Sequence, residues 1–280
     1  MKPAPFELVR PATVDDAVAV LADPAADAKP LAGGQSLVPL LAMRLATPAT
    51  LVDLNTIGSL TGIDDTADER VRFGAMTRQS TLVRSRRHGL VAHASAWIGH
   101  TAIRSRGTIG GSVAHADPSA ELPSVAVACD GVIGVAGPDG SRTIAAVDLF
   151  ESMLETTLRS DEIITEVTLR RPQRWGFAEF ARRDGDFALV LAVIAEVADG
   201  WRVVLGGVGP TPWRCRDAER LLDDSATDMS GLDEAILDAV ADTVETFDDV
   251  HASAEYRRAM AAEFTARALA DMADREPGDA

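Results

Sequence analysis

The sequence predicts an α+β fold of two domains in a chain of 280 residues. Strand-like and helical runs alternate over residues 6–54, and a hairpin pattern with an Asp-Gly turn lies at 132–147. Beyond residue 172, consecutive strand patterns are followed only by helical patterns, which is typical of an α+β domain. We therefore expect a first domain over 1–172, with lobes of about 1–55 and 56–172, and a C-terminal domain over 173–280.

The first lobe is predicted to consist of strand–helix units. Residues 6–9 read as a short strand, and Thr13 with Asp16 three residues later predicts a capping box at the start of a helix. A second helix is expected over 37–45, where Pro39 is tolerated because it lies in the first turn. Residues 51–54 then return as a strand.

The second lobe is predicted to be a sheet with two longer helices. Residues 71–75 and 163–169 alternate like strands, and apolar residues recur at helical spacing over 81–99. Asp117 followed by Pro118 predicts a helix over 118–129 that Asp117 caps. In the C-terminal domain, strands are expected at 177–182, 188–197 and 201–208, and apolar residues at every fourth position from 256 to 272 predict a long final helix.

Composition excludes several classes of function. A formal net charge of −16 argues against nucleic acid or an anionic membrane surface as a partner, because neither is bound by an acidic face. The two cysteines, Cys129 and Cys215, are too few for a disulfide framework or an iron–sulfur cluster on this chain. The first residues carry no apolar leader pattern and no run of about 18 apolar residues occurs, so we expect a cytoplasmic protein without membrane insertion.

Two Gly-Gly segments have the same design, and we call them loop 1 (residues 31–38) and loop 2 (residues 107–112). In each segment the Gly-Gly pair follows an apolar run. A short polar residue comes after the pair, and a helical pattern begins there. Without Cβ atoms, main-chain N–H groups can approach a phosphate, and a following helix adds the positive end of its dipole. A single Gly-Gly pair more often marks a turn, but two predict a ligand with two phosphates. Neither loop has the spacing of a P-loop or of a Rossmann fingerprint.

A His, Asp and Glu cluster follows loop 2. His115 and Asp117 are close enough in sequence to share a catalytic or metal site, yet Asp117 is explained as a helix cap and His115 lacks a third ligand. Glu121 either favours the helix dipole or projects toward the loop, and Arg104 and Arg106 either neutralise phosphate or are solvated. No nucleophile stands at a signature spacing from a histidine. We therefore predict no catalytic acid or base and no metal on this chain.

Three motifs in order make the chain similar to a known family. They are Ala32-Gly33-Gly34-Gln35-Ser36-Leu37, Thr108-Ile109-Gly110-Gly111-Ser112 with Ala114-His115-Ala116-Asp117-Pro118, and Arg182-Arg183-x-Gly185-Asp186-Phe187-Ala188. The chain resembles, over nearly its whole length, the flavoprotein (medium) subunits of the molybdenum hydroxylases. That family includes carbon monoxide, nicotine and caffeine dehydrogenases and the FAD domain of xanthine dehydrogenase. The resemblance implies a two-lobed FAD-binding domain of the vanillyl-alcohol-oxidase type, followed by a small domain of antiparallel sheet plus helices.

The resemblance also implies roles for single residues. Loops 1 and 2 would wrap the FAD pyrophosphate, Glu121 would bind the ribityl chain or nearby flavin atoms, and Ile164 would pack on the ring. Phe187 falls where some members place a tyrosine over the isoalloxazine; Gln35 replaces a histidine and Ser112 an asparagine, and both keep hydrogen-bonding capacity. The implied cofactor-binding residues are Leu31, Ala32, Gly33, Gly34, Gln35, Ser36, Leu37, Val38, Thr108, Ile109, Gly110, Gly111, Ser112, Asp117, Glu121, Ile164 and Phe187.

Partners follow from the same resemblance. A large subunit would oxidise the substrate at a molybdopterin cofactor, and a small subunit would pass the electrons through [2Fe-2S] clusters to non-covalent FAD on this chain. The flavin would pass them to NAD, oxygen, a quinone or another acceptor, in a dimer of heterotrimers. Because this chain lacks the cysteines for such clusters, they must belong to another chain.

Two other functions stay open at this point. One is a self-sufficient FAD oxidase of the same fold, which would need its own base and often a covalent flavin link, for which His100 and His115 are the candidates. The other is a module that binds a nucleotide without redox chemistry. An absorbance spectrum of the purified chain without flavin bands, and no uptake of added FAD, would favour the nucleotide-binding module. Acid precipitation tests for a covalent flavin link, which would indicate the oxidase.

Overall fold

The computed structural model describes residues 2–224 and 232–275. Within these ranges the strands are β1 (Glu7–Val9), β2 (Ala28–Leu31), β3 (Thr50–Asp53), β4 (Ile63–Asp65), β5 (Arg70–Gly74), β6 (Val132–Gly137), β7 (Gly140–Ala145), β8 (Phe150–Ser152), β9 (Glu155–Thr156), β10 (Ile163–Arg170), β11 (Arg174–Phe180), β12 (Val190–Val197), β13 (Gly200–Gly206) and β14 (Trp213–Arg214). The helices are α1 (Val14–Leu21), α2 (Leu37–Met43), α3 (Gln79–Leu82), α4 (Gly89–Trp97), α5 (Thr101–Arg104), α6 (Ile109–His115), α7 (Glu121–Ala128), α8 (Ala146–Leu149), α9 (Arg216–Asp224), α10 (Leu232–Thr243) and α11 (Ala254–Asp274). None of these helices has the length and apolar character needed to cross a membrane.

The first lobe is a three-stranded parallel sheet in the order β1-β3-β2. Helix α1 connects β1 to β2, and the predicted capping box is confirmed, because the Thr13 side chain accepts from the Asp16 amide and Asp16 accepts from the Thr13 amide. Helix α2 connects β2 to β3 and has Pro39 as its third residue, as predicted. Loop 1 lies at the carboxyl end of β2.

The second lobe is a five-stranded antiparallel sheet in the order β4-β5-β10-β6-β7. The predicted hairpin is confirmed, with Gly137 paired to Gly140 and Gly140 in the left-handed region at φ +104. Helices α4 and α7 pack on this sheet. The core that they enclose contains fully buried Phe73, Leu90 and Leu122.

Two helix predictions in this lobe are wrong. The pattern over 81–99 is divided into α3 and α4, because His88 ends the intervening turn and caps α4 by accepting the Val91 amide on Nδ1 at 3.4 Å. The helix predicted over 118–129 begins at Glu121 instead. Pro123 explains this start, since a proline is tolerated in the first turn of a helix but not in its interior.

Asp117 therefore does not cap α7. Its Oδ1 accepts the Ser119 amide at 2.9 Å, and the Ala120 amide donates to the Asp117 carbonyl at 3.0 Å, so that residues 117–120 form a turn. Ala120 occupies the N-cap position of α7 without a side-chain hydrogen bond. The turn delivers Glu121 to the start of the helix.

The C-terminal domain is a four-stranded antiparallel sheet in the order β11-β12-β13-β14 with helices on one face. The consecutive strands are confirmed, although the first begins earlier than predicted, at Arg174. Trp175 and Phe177 point to one face of β11 and join the core with α4 and α7. Ala178 and Phe180 point to the opposite face, toward the predicted long helix, which is α11.

Candidate functional site

The two Gly-Gly loops lie in direct backbone contact. A Cβ built on Gly33 would lie 2.3 Å from the Arg106 carbonyl oxygen and 2.8 Å from the Cα of Gly107. A Cβ on Gly111 would come within 3.3 Å of the Ala32 Cβ. Glycine is required at Gly33 by this close approach, because any side chain there would push the loops apart. The structure therefore brings the predicted loops together at one place.

Loop 1 presents backbone amides that are not used by the protein. Within 2–224 and 232–275, no acceptor contacts the amides of Gly33, Gly34, Gln35 and Ser36. Gly34 has a φ of +75, which orients this turn, and Gln35 is exposed. Successive free N–H groups in a turn are the usual binding site of a phosphate. Leu31, Leu37 and Val38 flank these amides and supply apolar surface.

Loop 2 differs from the prediction, because the protein uses its amides. Ile109 donates to the Thr77 carbonyl at 3.1 Å, Gly110 to the Ala75 carbonyl at 2.8 Å, and Gly111 to the Thr108 hydroxyl at 3.0 Å. The Ser112 amide donates to the Thr108 carbonyl at 3.1 Å. The expectation that main-chain N–H groups of both loops face a phosphate is therefore corrected for these residues. What loop 2 offers is small side chains and the half-buried Ser112 hydroxyl.

Asn55 and Arg78 tie the two loops together, and sequence reasoning missed both. Asn55 donates from Nδ2 to the Ala32 carbonyl at 3.0 Å, and its Oδ1 accepts from Arg78 Nη2 at 2.5 Å. The other terminal nitrogen of Arg78 donates to the Arg106 carbonyl. Burial, followed by the nearby charge of Arg106, lowers the pKa of Arg78, but a guanidinium remains a cation. Two arginines thus bring positive charge to the junction of the loops.

The arginine that precedes them has a different role. Arg104 donates from Nη1 to the carbonyls of Ile98 and Gly99, at 2.8 and 2.7 Å. Arg104 therefore closes the turn between α4 and α5. It neither faces a phosphate site nor lies on a solvated surface, which were the two alternatives considered from the sequence. Arg106 stays exposed beside loop 2.

A cavity of about 400 Å³ adjoins the junction of the loops. Asn55 and Arg78, which bridge the loops, also form part of its wall. The other lining residues are Thr61, Gly62, Ile63, Met76, Thr77 and Thr81. A space of this size has the dimensions of a small-molecule site, and its lining is mainly apolar.

Glu121 is almost completely buried at the start of α7, with 4% of its surface exposed. Burial raises its pKa to about 7; its own amide opposes this shift and the charge of Asp117 adds to it. The segment is fixed against the C-terminal domain, since the Gly207 amide donates to the Pro118 carbonyl at 2.7 Å. A buried carboxyl oxygen can accept a hydrogen bond from a cofactor hydroxyl.

His115 ends α6 beside the first lobe. Burial lowers the pKa of its imidazole, the charge of Asp117 raises it, and that of Lys29 lowers it further. No group of three His, Cys, Asp or Glu side chains in the described ranges is arranged to hold a metal ion.

The two residues expected at the flavin ring lie in different surroundings. Ile164 belongs to the core of the second lobe and is 5% exposed. The carbonyl of its neighbour Thr165 accepts a hydrogen bond from the Ala75 amide, and the Ala75 carbonyl accepts one from the Gly110 amide of loop 2. Phe187 is 59% exposed in the loop before β12. That loop is packed on His100, because a Cβ on Gly185 would lie 2.3 Å from its Cε1. A contact of either side chain with a ring stays a prediction.

Free amides, two arginines and a close glycine contact on an α+β scaffold fit a cofactor that binds through a diphosphate. Comparison with known proteins identifies the family. Residues 4–172 match the sequence family described as the FAD binding domain in molybdopterin dehydrogenase, and residues 175–272 match the CO dehydrogenase flavoprotein C-terminal domain.

Curated relatives and solved structures agree over the whole length. The chain is 39% identical to the nicotine 6-hydroxylase medium subunit of Paenarthrobacter nicotinovorans, over 97% of this chain and 98% of that protein. It is 34% identical to the carbon monoxide dehydrogenase medium chain of Afipia carboxidovorans, over 96% and 97%. A structure of carbon monoxide dehydrogenase from Hydrogenophaga pseudoflava, lacking the Mo-pyranopterin moiety of its molybdenum cofactor, superposes with a TM-score of 0.91 at 33% identity, covering 97% of this chain and 98% of that one.

The chain belongs to the family of FAD-binding medium subunits of the molybdopterin dehydrogenases. It is a flavoprotein of the oxidoreductase class, and the resemblance recognised from the three motifs is confirmed.

Proposed function

We propose that this chain binds FAD non-covalently, with the pyrophosphate at the junction of loops 1 and 2, and serves as the electron-transfer subunit of a molybdenum-containing dehydrogenase. The observation that carries the proposal is the backbone contact at Gly33, with the unused amides of Gly33 to Ser36 beside it. Bound FAD supplies the redox chemistry, since it accepts electrons from a partner's iron–sulfur clusters and delivers them to NAD, oxygen, a quinone or another acceptor.

The residues of this chain bind and orient the cofactor. The amides of loop 1 donate to phosphate oxygens, and Arg78 and Arg106 lower the electrostatic cost of the two negative charges. Ser112 offers a hydroxyl on the opposite side, and Glu121 accepts from a ribityl hydroxyl. Phe187 covers the flavin ring from its exposed loop. Ile164 packs on the ring from β10, and Asp117 shapes the turn that positions Glu121 at the start of α7.

The partners we propose are a large molybdopterin-binding subunit and a small subunit with [2Fe-2S] clusters, assembled as a dimer of heterotrimers. Relatives named as medium or alpha subunits of dehydrogenase complexes support a heteromer. The only two cysteines, Cys129 and Cys215, are both buried and free. We also propose that the chain divides at 172 and 173, which the limits of the two matching families support.

Purification of the tagged chain from its native source tests this function. We expect flavin absorbance bands, recovery of a molybdenum-containing large chain and an iron–sulfur small chain, and release of all yellow colour into the supernatant on acid precipitation. Colour that stays in the pellet would contradict the non-covalent assignment. Recovery of the chain with flavin but without partners would favour a self-sufficient oxidase, and failure to take up added FAD would favour a nucleotide-binding module.

A further inference from the structure

A group of buried polar side chains lies where α7 meets the C-terminal sheet. Glu121 and Ser124 are three residues apart on α7 and so share one face of it. Glu179 is on β11, with its side chain on the same face as Trp175 and Phe177, which is the face that α4 and α7 cover. Ser124 is completely buried, and Glu179 is 8% exposed.

The sheet positions Glu179 in a row that crosses three strands. Glu179 is paired with Leu191 of β12, and Leu191 is paired with Gly206 of β13. Ser124 lies over the end of this row, since a Cβ on Gly206 would be 2.7 Å from its Oγ. Glycine at 206 therefore lets α7 approach the sheet closely, and Glu121 at the start of α7 is near enough for its charge to act on Glu179.

Two polar atoms of this group are left without partners. In the described ranges, neither Oε2 of Glu179 nor Oγ of Ser124 makes a hydrogen bond. An ionised carboxylate in such a place is costly, because nothing replaces the water that it has lost. Burial, and then the charge on Glu121, raise the pKa of Glu179 to about 9, which favours its protonated form at neutral pH.

The charged groups on neighbouring elements do not neutralise the pair. Asp117 adds a further negative charge beside Glu121. Arg257 of α11 is buried but already donates to the carbonyls of Leu189 and Gly207 and to Asp249. Three further groups on elements packed against α7 and β11 face other partners: Arg202 pairs with Asp130, His115 faces Asp117 and Lys29, and His93 lies beside Arg275 and Asp271. On α11, Arg267 pairs with Glu263, and Asp271 accepts the Phe177 amide.

We propose that Glu179 is a positioning residue of the FAD site: it stays neutral beside Glu121, so that of these two buried glutamates only Glu121 ionises and accepts a hydrogen bond from the cofactor. The proposal rests on the proposed function, because it assigns Glu121 to FAD. Ionisation of Glu179 in alkaline solution places a second charge at the buried interface, displaces Glu121 and weakens FAD binding. No step of electron transfer passes through Glu179.

The test is the dissociation constant for FAD of the full-length chain between pH 6 and pH 10, measured by flavin fluorescence for wild type, Glu179→Gln and Glu196→Gln. Glutamine keeps the shape of the neutral acid but cannot ionise. Glu196 lies on the neighbouring strand β12 and serves as the matched control. Between pH 8 and pH 10, where Glu121 is mostly ionised in all three proteins, we expect Kd to rise by up to about tenfold per pH unit above the pKa of Glu179 in wild type and in Glu196→Gln, and to stay flat in Glu179→Gln.

An infrared spectrum gives a second measurement that does not depend on FAD. We expect the carbonyl band of a protonated carboxyl in the wild-type chain at pH 8, where Glu121 is mostly ionised, its loss as the pH rises to 10, and a much weaker band at pH 8 in Glu179→Gln. Parallel Kd profiles of wild type and Glu179→Gln, or a wild-type spectrum without this band, would overturn the proposal. If no variant binds FAD at any pH while the band behaves as expected, the proposed function fails and the protonation of Glu179 stands.

Discussion

Replacing Gly33 with alanine is the most direct test of the contact between the loops. The new Cβ would lie 2.3 Å from the Arg106 carbonyl oxygen, about 1 Å inside an ordinary van der Waals contact, and the obstacle is backbone, which cannot rotate away. The left-handed region is not involved at Gly33, so the effect is steric alone. Overpacking of this kind costs about 1–3 kcal/mol. If FAD requires the native spacing of the loops, the same free energy weakens its binding roughly 5- to 150-fold.

The assay is a titration of Gly33→Ala with FAD, together with a thermal melt of the chain without cofactor. Gly58→Ala is the matched control, because a Cβ there meets nothing within 4 Å, and we expect unchanged affinity and a melting temperature close to that of wild type. If Gly33→Ala binds FAD as tightly as Gly58→Ala, the contact at Gly33 does not position the cofactor and our account of the site is wrong.

Three further predictions concern single side chains. Thr108→Val removes the cap of α6 at Gly111 and should cost about 0.5–2 kcal/mol of unfolding free energy and weaken FAD binding, whereas Thr108→Ser should retain both. Burial lowers the pKa of His88 from 6.5 to about 4, so the native state binds fewer protons than the unfolded state in this window; stability should fall by about 1.6 kcal/mol between pH 6.5 and pH 5 in urea titrations, and less in His88→Asn. Phe187→Ala should leave the melting temperature unchanged, because the ring is 59% exposed, but should increase the fluorescence of bound flavin by removing a stacked ring; an unchanged emission would exclude Phe187 from the site.

Most of the fold could be predicted because local patterns determine it. Apolar and alternating runs located strands in each of the three larger sheets, although β4 and β14 were not predicted, and Thr13 with Asp16 located the start of α1. The errors have local causes as well. Pro123 moves the start of α7 to Glu121, and the cap at His88 separates α3 from α4. Pro123 and His88 are both visible in the sequence. They were overlooked because the helical pattern of apolar residues continues on both sides of each of them.

The site could be predicted only in part. Gly-Gly pairs identify both loops, because a close backbone approach requires glycine and glycine is visible in the sequence. Asn55 and Arg78 give no such signal, since their hydrogen bonds join residues 23 to 28 positions apart and arise only when the lobes pack together. The same is true of Glu179, which in the sequence is one polar residue within a strand and acquires its properties from α7.

The sheet of the C-terminal domain is shared by two cores. One face of β11 and β12 completes the core that contains Phe73 and Leu90, while the other face packs on α11. The junction at 172 therefore separates two sequence families but does not separate two hydrophobic interiors. Neither segment can be inherited, exchanged or inserted elsewhere without exposing the apolar face that the other segment covers. The pair is expected to recombine as one unit during evolution, and its interface should change only through paired substitutions on α7 and the sheet.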